Sequence, residues 1–105
     1  MRSVLFAIGV CGLMVAPTAG AGNAAAGKQK SQACIACHAE DGNSTNPQFP
    51  RLAGQHPDYL VKALRDYKSG ERKNPIMAPF SAGLSPQDME DLAAYFAQQK
   101  GLSTP

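Results

Sequence analysis

The five residues Cys34-Ile35-Ala36-Cys37-His38 place two thiols three positions apart and a histidine directly behind the second thiol. Each thiol of such a pair can form a thioether with one of the two vinyl groups of a haem, and the histidine then lies beneath the iron as an axial ligand. This attachment motif therefore predicts one covalent haem c, bound through Cys34 and Cys37, with its iron held by His38.

Three other uses of this cysteine pair need features that the sequence does not offer. A thioredoxin-like redox pair follows a strand in a βαβ unit, and no stretch alternates apolar and polar residues for long enough to predict a strand. A structural zinc ion needs four ligands, and after the attachment motif only His56 remains, at an unusual spacing. A plain disulfide would leave the adjacent histidine without a role. Haem attachment is the favoured interpretation.

The N-terminal segment has the pattern of an export signal. Arg2 supplies a positive charge, residues 4–15 form an almost unbroken apolar run, and residues 19–21 (AGA) offer the small side chains that signal peptidase requires. A membrane span needs roughly twenty apolar residues, so this run of about a dozen is too short. We expect residues 1–21 to be a cleaved signal peptide, residues 22–105 to form one domain, and the mature protein to be exported.

The composition excludes one class of partner and indicates a small core. Without Arg2, the ten Lys and Arg of the 105-residue chain become nine, against eight Asp and Glu, which gives a net charge of +1. Such a balance provides no basis for nucleic-acid binding. The chain has no Trp and only four Phe, one of which belongs to the signal segment. A domain of this size has a marginal core, so a buried cofactor is expected to complete it.

Local signals predict an all-α fold with three main helices joined by two long loops. The first helix lies within residues 22–44, where several Ala favour helix formation. Pro57 opens the second helix, Gly70 ends it, and Ser85 caps the third. The two loops are rich in Gly, Asn and Pro and are expected to be irregular: residues 40–50 and 71–83.

The second axial position of the iron decides between electron transfer and catalysis. An open position admits oxygen or peroxide, whereas a second protein ligand closes the iron to substrates. Met89 falls on the apolar stripe of the third helix and His56 precedes a helix start, so a core role and a solvated or capping role are favoured for them. Met77 lies between Pro75 and Pro79, which limit the backbone, and it is the favoured ligand; packing on the haem edge is its alternative role.

Taken together, these features resemble class I cytochromes c, and more narrowly one haem domain of the bacterial c-four type or its single-haem relatives. The resemblance runs from about residue 24 to residue 99. It is carried by the attachment motif, the Met77 loop and three further stretches: residues 49–55 (FPRLAGQ), 84–86 (LSP) and 91–96 (DLAAYF). The chain departs from the two-haem members because it has one Cys-x-x-Cys-His motif and half their length.

The resemblance implies a class I cytochrome c fold, in which helices and long loops wrap around one covalent haem. It implies that the first and third helices cross, with Gly27 allowing the close approach and Tyr95 or Phe96 packing there. It also implies that the backbone carbonyl of Pro50 accepts a hydrogen bond from His38 and so fixes the direction of the imidazole.

The expected function is that of a non-enzymatic electron carrier between periplasmic or membrane-bound respiratory proteins, with no nucleic-acid partner. The resemblance leaves Arg51 as a candidate partner of a haem propionate, with a solvated surface role as the alternative. The basic residues between 62 and 73 are interpreted as a solvated helix face in preference to a docking site. Two other functions stay open: a cytochrome subunit of a periplasmic dehydrogenase, and a haem protein with an open distal site.

Overall fold

A computed structural model describes residues 22–102, so the predicted signal peptide lies outside the described residues. Five α-helices follow one another along this part of the chain: α1 Ala24–Lys30, α2 Gln32–His38, α3 Pro57–Ser69, α4 Met77–Ala82 and α5 Pro86–Ala97. Every regular element between residues 22 and 102 is helical, which confirms the all-α prediction. None of the helices in this range is long and apolar enough to cross a membrane.

The predicted first helix is divided at Ser31 into α1 and α2. The Ser31 hydroxyl donates to the Lys28 carbonyl at 2.7 Å, and this serine is buried. A serine that bonds back to the preceding turn competes with the regular helical pattern. Helix α2 then starts with the Cys34 amide bonded to the Ser31 carbonyl at 2.8 Å. As a result, the attachment motif occupies a short helix of its own.

The two longer helices, α3 and α5, begin where the sequence predicts, and α3 also ends at its predicted residue. Pro57 is the first residue of α3, and Gly70 ends that helix in the left-handed conformation with φ 85°. Ser85 and Asp88 form a capping box at the start of α5, where the Ser85 hydroxyl accepts from the Asp88 amide at 3.0 Å. These predictions are confirmed. Capping signals can be recognised in the sequence because they act within one helical turn and need no distant partner.

The expectation that residues 71–83 are wholly irregular is wrong. They contain the short helix α4, which begins at Met77 and has Pro79 as its third residue. Proline is compatible with the first turn of a helix, since that turn needs no amide donor. Just before the helix, the side-chain oxygen of Asn74 accepts from the amides of Ile76 and Met77 at 2.9 and 3.0 Å. This contact directs the chain into α4.

Helix α5 is central to the core, because both α1 and α3 pack against it. A Cβ atom at Gly27 would collide with the Asp91 carbonyl and lie 2.9 Å from the Cβ of Tyr95. The close crossing of the first and last helices is therefore confirmed, with Tyr95 as the aromatic residue beside the glycine. The main cluster of buried apolar residues is small: Leu60, Val61, Leu92, Ala93, Tyr95 and Phe96.

Candidate cofactor site

A cavity of about 650 Å³ lies between α2, α3, α4, α5 and the loop that precedes α3. Its volume is in the range of pockets that hold cofactors and other small molecules. The lining is mainly apolar and includes Leu52, Leu60, Ala63, Leu64, Leu92, Ala93 and Phe96. Because an apolar lining offers water few hydrogen-bond partners, a group bound inside the cavity would be desolvated.

Helix α2 brings the three functional residues of the attachment motif to this cavity. Cys34 and Cys37 are half-buried, carry free thiols and line the cavity together with His38. The two cysteines are three positions apart on a helix, so their side chains lie on the same face. Burial raises the pKa of the Cys34 thiol. A thiol that keeps its proton is a poor nucleophile in disulfide exchange, so Cys34 lacks the character of a redox-active cysteine.

The imidazole of His38 is held by the loop that follows α2. Its Nδ1 lies 2.8 Å from the carbonyl oxygen of Pro50, and the residue is buried. Since a carbonyl oxygen only accepts, Nδ1 carries the proton and Nε2 keeps a lone pair that can bind a metal ion. The Phe49 ring meets the imidazole edge-on, with 6.5 Å between the ring centroids. Two consecutive loop residues thus orient the imidazole.

The three candidates for the second iron ligand lie in different surroundings. Met77, at the start of α4, is half-buried and lines the cavity. Met89 is 3% exposed within the core, and His56 is exposed at the N-cap of α3. Among the described residues, the cavity lining includes Met77 but neither Met89 nor His56. Met77 is therefore the candidate that shares a cavity with His38.

Among the described residues, two arginines line the cavity, and the sequence analysis names one of them as a candidate. Arg51 donates from Nε to the Ser44 carbonyl at 3.3 Å. Arg72, which belongs to the basic segment interpreted as a solvated face, also lines the cavity. It donates to the Tyr59 hydroxyl at 3.4 Å, and its guanidinium carbon lies 4.8 Å from the centroid of the Tyr67 ring. No local motif connects these residues, so only the fold identifies the second arginine.

The exposed apolar side chains of the described residues gather at this same cavity. Contiguous exposed apolar surface marks a binding site, and an apolar cofactor would cover it. The residues present fit a haem, because two thiols, an imidazole nitrogen and a thioether sulfur share one apolar space. Four large apolar residues between 22 and 102 are about half exposed, and all four line the cavity: Tyr59 (49%), Ile76 (56%), Phe80 (47%) and Leu102 (48%).

Similarity to known proteins extends over nearly all of the described residues. The family described as Cytochrome c matches residues 24–100. The chain is 47% identical over 106 residues to cytochrome c4 of Pseudomonas aeruginosa, which covers 98% of this chain and 51% of that relative. It is 42% identical over 83 residues to cytochrome c-554(548) of Halomonas halodenitrificans, which covers 76% of this chain and 100% of that relative.

A solved structure agrees with these sequence matches. The crystal structure of reduced recombinant cytochrome c4 from Pseudomonas stutzeri has a TM-score of 0.74 and 49% sequence identity, over 77% of this chain and 47% of that chain. The fold class expected from the resemblance is confirmed by this likeness. The chain spans about half the length of the curated cytochromes c4 that it matches.

Proposed function

Because the chain belongs to the cytochrome c family, we propose that it is an electron carrier built around one covalently attached haem c. The observation that carries the proposal is the cavity, where two free thiols, His38 and Met77 share one apolar space. The one Cys-x-x-Cys-His motif among the 105 residues supports a single haem for this chain. A protein that closes both axial positions of its iron has no place for a substrate, so we propose no enzymatic activity.

Four residues would hold the haem in this proposal, and a fifth orients one of them. Cys34 and Cys37 form the two thioethers. His38 would bind the iron through Nε2 and Met77 would bind it through its sulfur. The Pro50 carbonyl fixes the tautomer of the imidazole and, by accepting from Nδ1, makes Nε2 a stronger donor.

Arg51 and Arg72 are the candidates for the two carboxylates of the haem. Both line the cavity, and a guanidinium can bind a carboxylate through two parallel N–H donors. Arg51 uses Nε for the Ser44 carbonyl, which leaves its terminal nitrogens for a propionate. Arg72 is held by Tyr59 and Tyr67, so less side-chain freedom is lost when it binds an anion.

A bound haem iron supplies a one-electron couple, and the residues around the cavity set the conditions of its use. The Met77 thioether is a soft donor and favours ferrous over ferric iron, which raises the potential relative to ligation by two histidines. The apolar walls exclude water and oppose the extra positive charge of the ferric state, so they act in the same direction. His38, at the end of α2, and Met77, at the start of α4, would hold the iron from two helices.

We also propose where the protein works and which proteins it exchanges electrons with. Residues 1–21 are removed on export to the periplasm, and residues 22–105 form the working domain. The electron donor and acceptor are other redox proteins, including membrane-bound oxidase or reductase complexes. Such encounters are transient and bury less than about 1,200 Å².

The purified holoprotein tests the proposal. Expression together with a cytochrome c maturation system should give a haem that stays attached on denaturation and is low-spin and six-coordinate in both oxidation states. The reduced protein should not bind carbon monoxide rapidly at neutral pH, because Met77 occupies the second axial position. A chain that takes up no haem contradicts the proposal, and rapid, complete carbon monoxide binding identifies an open distal site. Co-purification in a fixed complex with a dehydrogenase would identify a cytochrome subunit.

A further inference from the structure

The residue that follows the proposed iron ligand has an unusual backbone conformation for an alanine. Ala39 has φ 71° and ψ 161°, and between residues 22 and 102 it is the one non-glycine residue with positive φ. Residues with a Cβ rarely adopt this region, which is nearly confined to glycine. A strained conformation of this kind persists only where the surrounding contacts determine it. The contacts of this turn therefore show which interactions keep Ala39 in its strained conformation.

Three hydrogen bonds hold the turn. The Ala39 amide donates to the Ile35 carbonyl at 3.0 Å, and the Gly42 amide donates to the Ala39 carbonyl at 3.1 Å. The third comes from α5, where the Tyr95 hydroxyl donates to the Glu40 carbonyl at 2.6 Å. The first two are local, whereas the tyrosine is buried and lies 55 residues further along the chain. This third contact ties the turn to the helical core.

We propose that Tyr95 is a positioning residue for His38, acting through the strained turn at Ala39. His38 is the last residue of α2, so the helix fixes the backbone before it and the turn fixes the backbone after it. With both sides fixed, the imidazole Nδ1 meets the Pro50 carbonyl at 2.8 Å. Without the hydroxyl, Ala39 is free to relax to an ordinary conformation, and the imidazole loses this alignment. The inference rests on the proposed role of His38 as an iron ligand.

The phenol side chain of Tyr95 is suited to holding the turn at Ala39. Burial raises the pKa of Tyr95, so the hydroxyl keeps its proton and remains a donor above neutral pH. The ring packs against Phe96 with 5.0 Å between the centroids. Phenylalanine preserves this ring packing and removes only the donor, so the hydroxyl can be examined separately from the ring.

The test compares Tyr95→Phe with the wild-type holoprotein. We expect the His38 Nδ1 proton and the Ala39 amide proton to exchange with solvent about tenfold faster in Tyr95→Phe. The exchange rates are measured by NMR on the reduced protein. The midpoint potential should rise, because a looser bond to Pro50 makes the imidazole a weaker donor. Ser85→Ala is the matched control, since it removes the N-cap hydrogen bond of the same helix and lowers stability without touching the turn. It should leave both readouts near their wild-type values.

A second substitution provides a rescue. Glycine adopts the conformation of Ala39 freely, so Ala39→Gly in the Tyr95→Phe background should restore most of the protection and the potential. Equal acceleration of exchange in Tyr95→Phe and Ser85→Ala would overturn the positioning role and leave Tyr95 as a core residue only. A wild-type protein without covalent low-spin haem would contradict the proposed function instead, so the two failures are distinguishable.

Discussion

Met77 and Met89 carry the same thioether in different surroundings. Met89 is buried within the core, where a flexible side chain fills space. Met77 begins α4, and its amide is held by the Asn74 side chain at 3.0 Å. In the sequence, the prolines on either side of Met77 favour it as a ligand because they stiffen the backbone. The helix start adds a second reason, since regular elements hold a side chain more firmly than loops do.

Met77→Ala removes the proposed sulfur ligand and opens one side of the iron. We expect the weak near-red absorption band of methionine-ligated ferric haem to disappear and the reduced protein to bind carbon monoxide. The midpoint potential should fall, because the soft donor that favours ferrous iron is lost. Absorption spectra and an optical redox titration measure these effects.

Met89→Leu is the control for this substitution. It conserves side-chain volume in the core, so it should cost less than about 1.5 kcal/mol and keep the near-red band. Survival of the band in Met77→Ala, with its loss in Met89→Leu, would transfer the axial role to Met89.

At the scale of the helices, the packing of α1 on α5 combines a steric contact with ion pairs. Gly27 lets the two helices approach at the Asp91 carbonyl. Lys30 Nζ lies 2.6 Å from the Asp91 carboxylate and 2.8 Å from that of Asp88. The Asn23 amide donates to the other oxygen of Asp91 at 2.9 Å, so this buried carboxylate is satisfied on both sides. The docking of α1 therefore combines the close approach at Gly27 with contacts to two carboxylates.

Gly27→Ala should destabilise the holoprotein. The added methyl group would meet backbone atoms of Asp91, which cannot move aside as a flexible side chain could. Overpacking of this kind costs about 1–3 kcal/mol. Gly83→Ala is the control, because a Cβ there meets no atom of residues 22–102 within 4 Å and φ is −88°. Chemical denaturation should show Gly83→Ala as neutral or up to about 1 kcal/mol more stable; an equal loss in both variants would contradict the close crossing.

The same helix pair should make the protein sensitive to acid. The hydrogen bond from Lys30 lowers the pKa of Asp88 from 3.8 to about 2 and also lowers that of Asp91. A carboxylate whose pKa is depressed by folding contributes stability that is complete above its ordinary pKa and is lost as pH falls through the depressed value. We therefore expect the melting temperature to fall between about pH 4 and pH 2 as these carboxylates are protonated.

Asp88→Asn isolates this effect. Asparagine can still accept from the Ser85 amide, so the cap survives while the charge opposite Lys30 is removed. Thermal unfolding followed by circular dichroism should show a shallower loss of stability in acid than in the wild type. Asp58→Asn, in the first turn of α3, is the matched control and should keep the wild-type slope. An unchanged slope in Asp88→Asn would show that this pair does not cause the acid sensitivity.

At the scale of the whole molecule, apolar surface is divided between a small core and the cavity. The buried cluster around α5 contains few large side chains, while four others remain about half exposed at the cavity: Tyr59, Ile76, Phe80 and Leu102. A bound haem would cover these side chains and supply the packing that they lack. Stability and cofactor binding are therefore expected to be coupled in this protein.

Preventing attachment should reveal this coupling. Cys34→Ser combined with Cys37→Ser removes both thioethers with little change in side-chain volume. We expect the double variant to melt about 20 °C lower than the holoprotein, which corresponds to several kcal/mol in a domain of this size. Either single substitution retains one thioether and should lie in between. A double variant with the wild-type melting temperature would contradict the view that the cofactor completes the core.

Short-range features of the fold were predictable, and features set by competing contacts were not. The starts of α3 and α5 follow from Pro57 and from the capping box at Ser85, each of which acts within one turn. The break at Ser31 depends on a hydroxyl bonding back to a carbonyl, in a stretch whose composition favours a continuous helix. Helix α4 likewise forms in a segment whose prolines and asparagine suggest a loop.

By itself, the sequence determined which groups are available: two thiols and a histidine in one short motif, three candidate second ligands and an all-α chain. Only the tertiary structure decided which groups share a cavity, because burial depends on how the helices pack. It puts Met77 in the cavity with His38 and keeps Met89 in the core. It also brings Arg72 to the cavity and the Tyr95 hydroxyl to the Glu40 carbonyl, a contact that spans 55 residues and that no local spacing encodes.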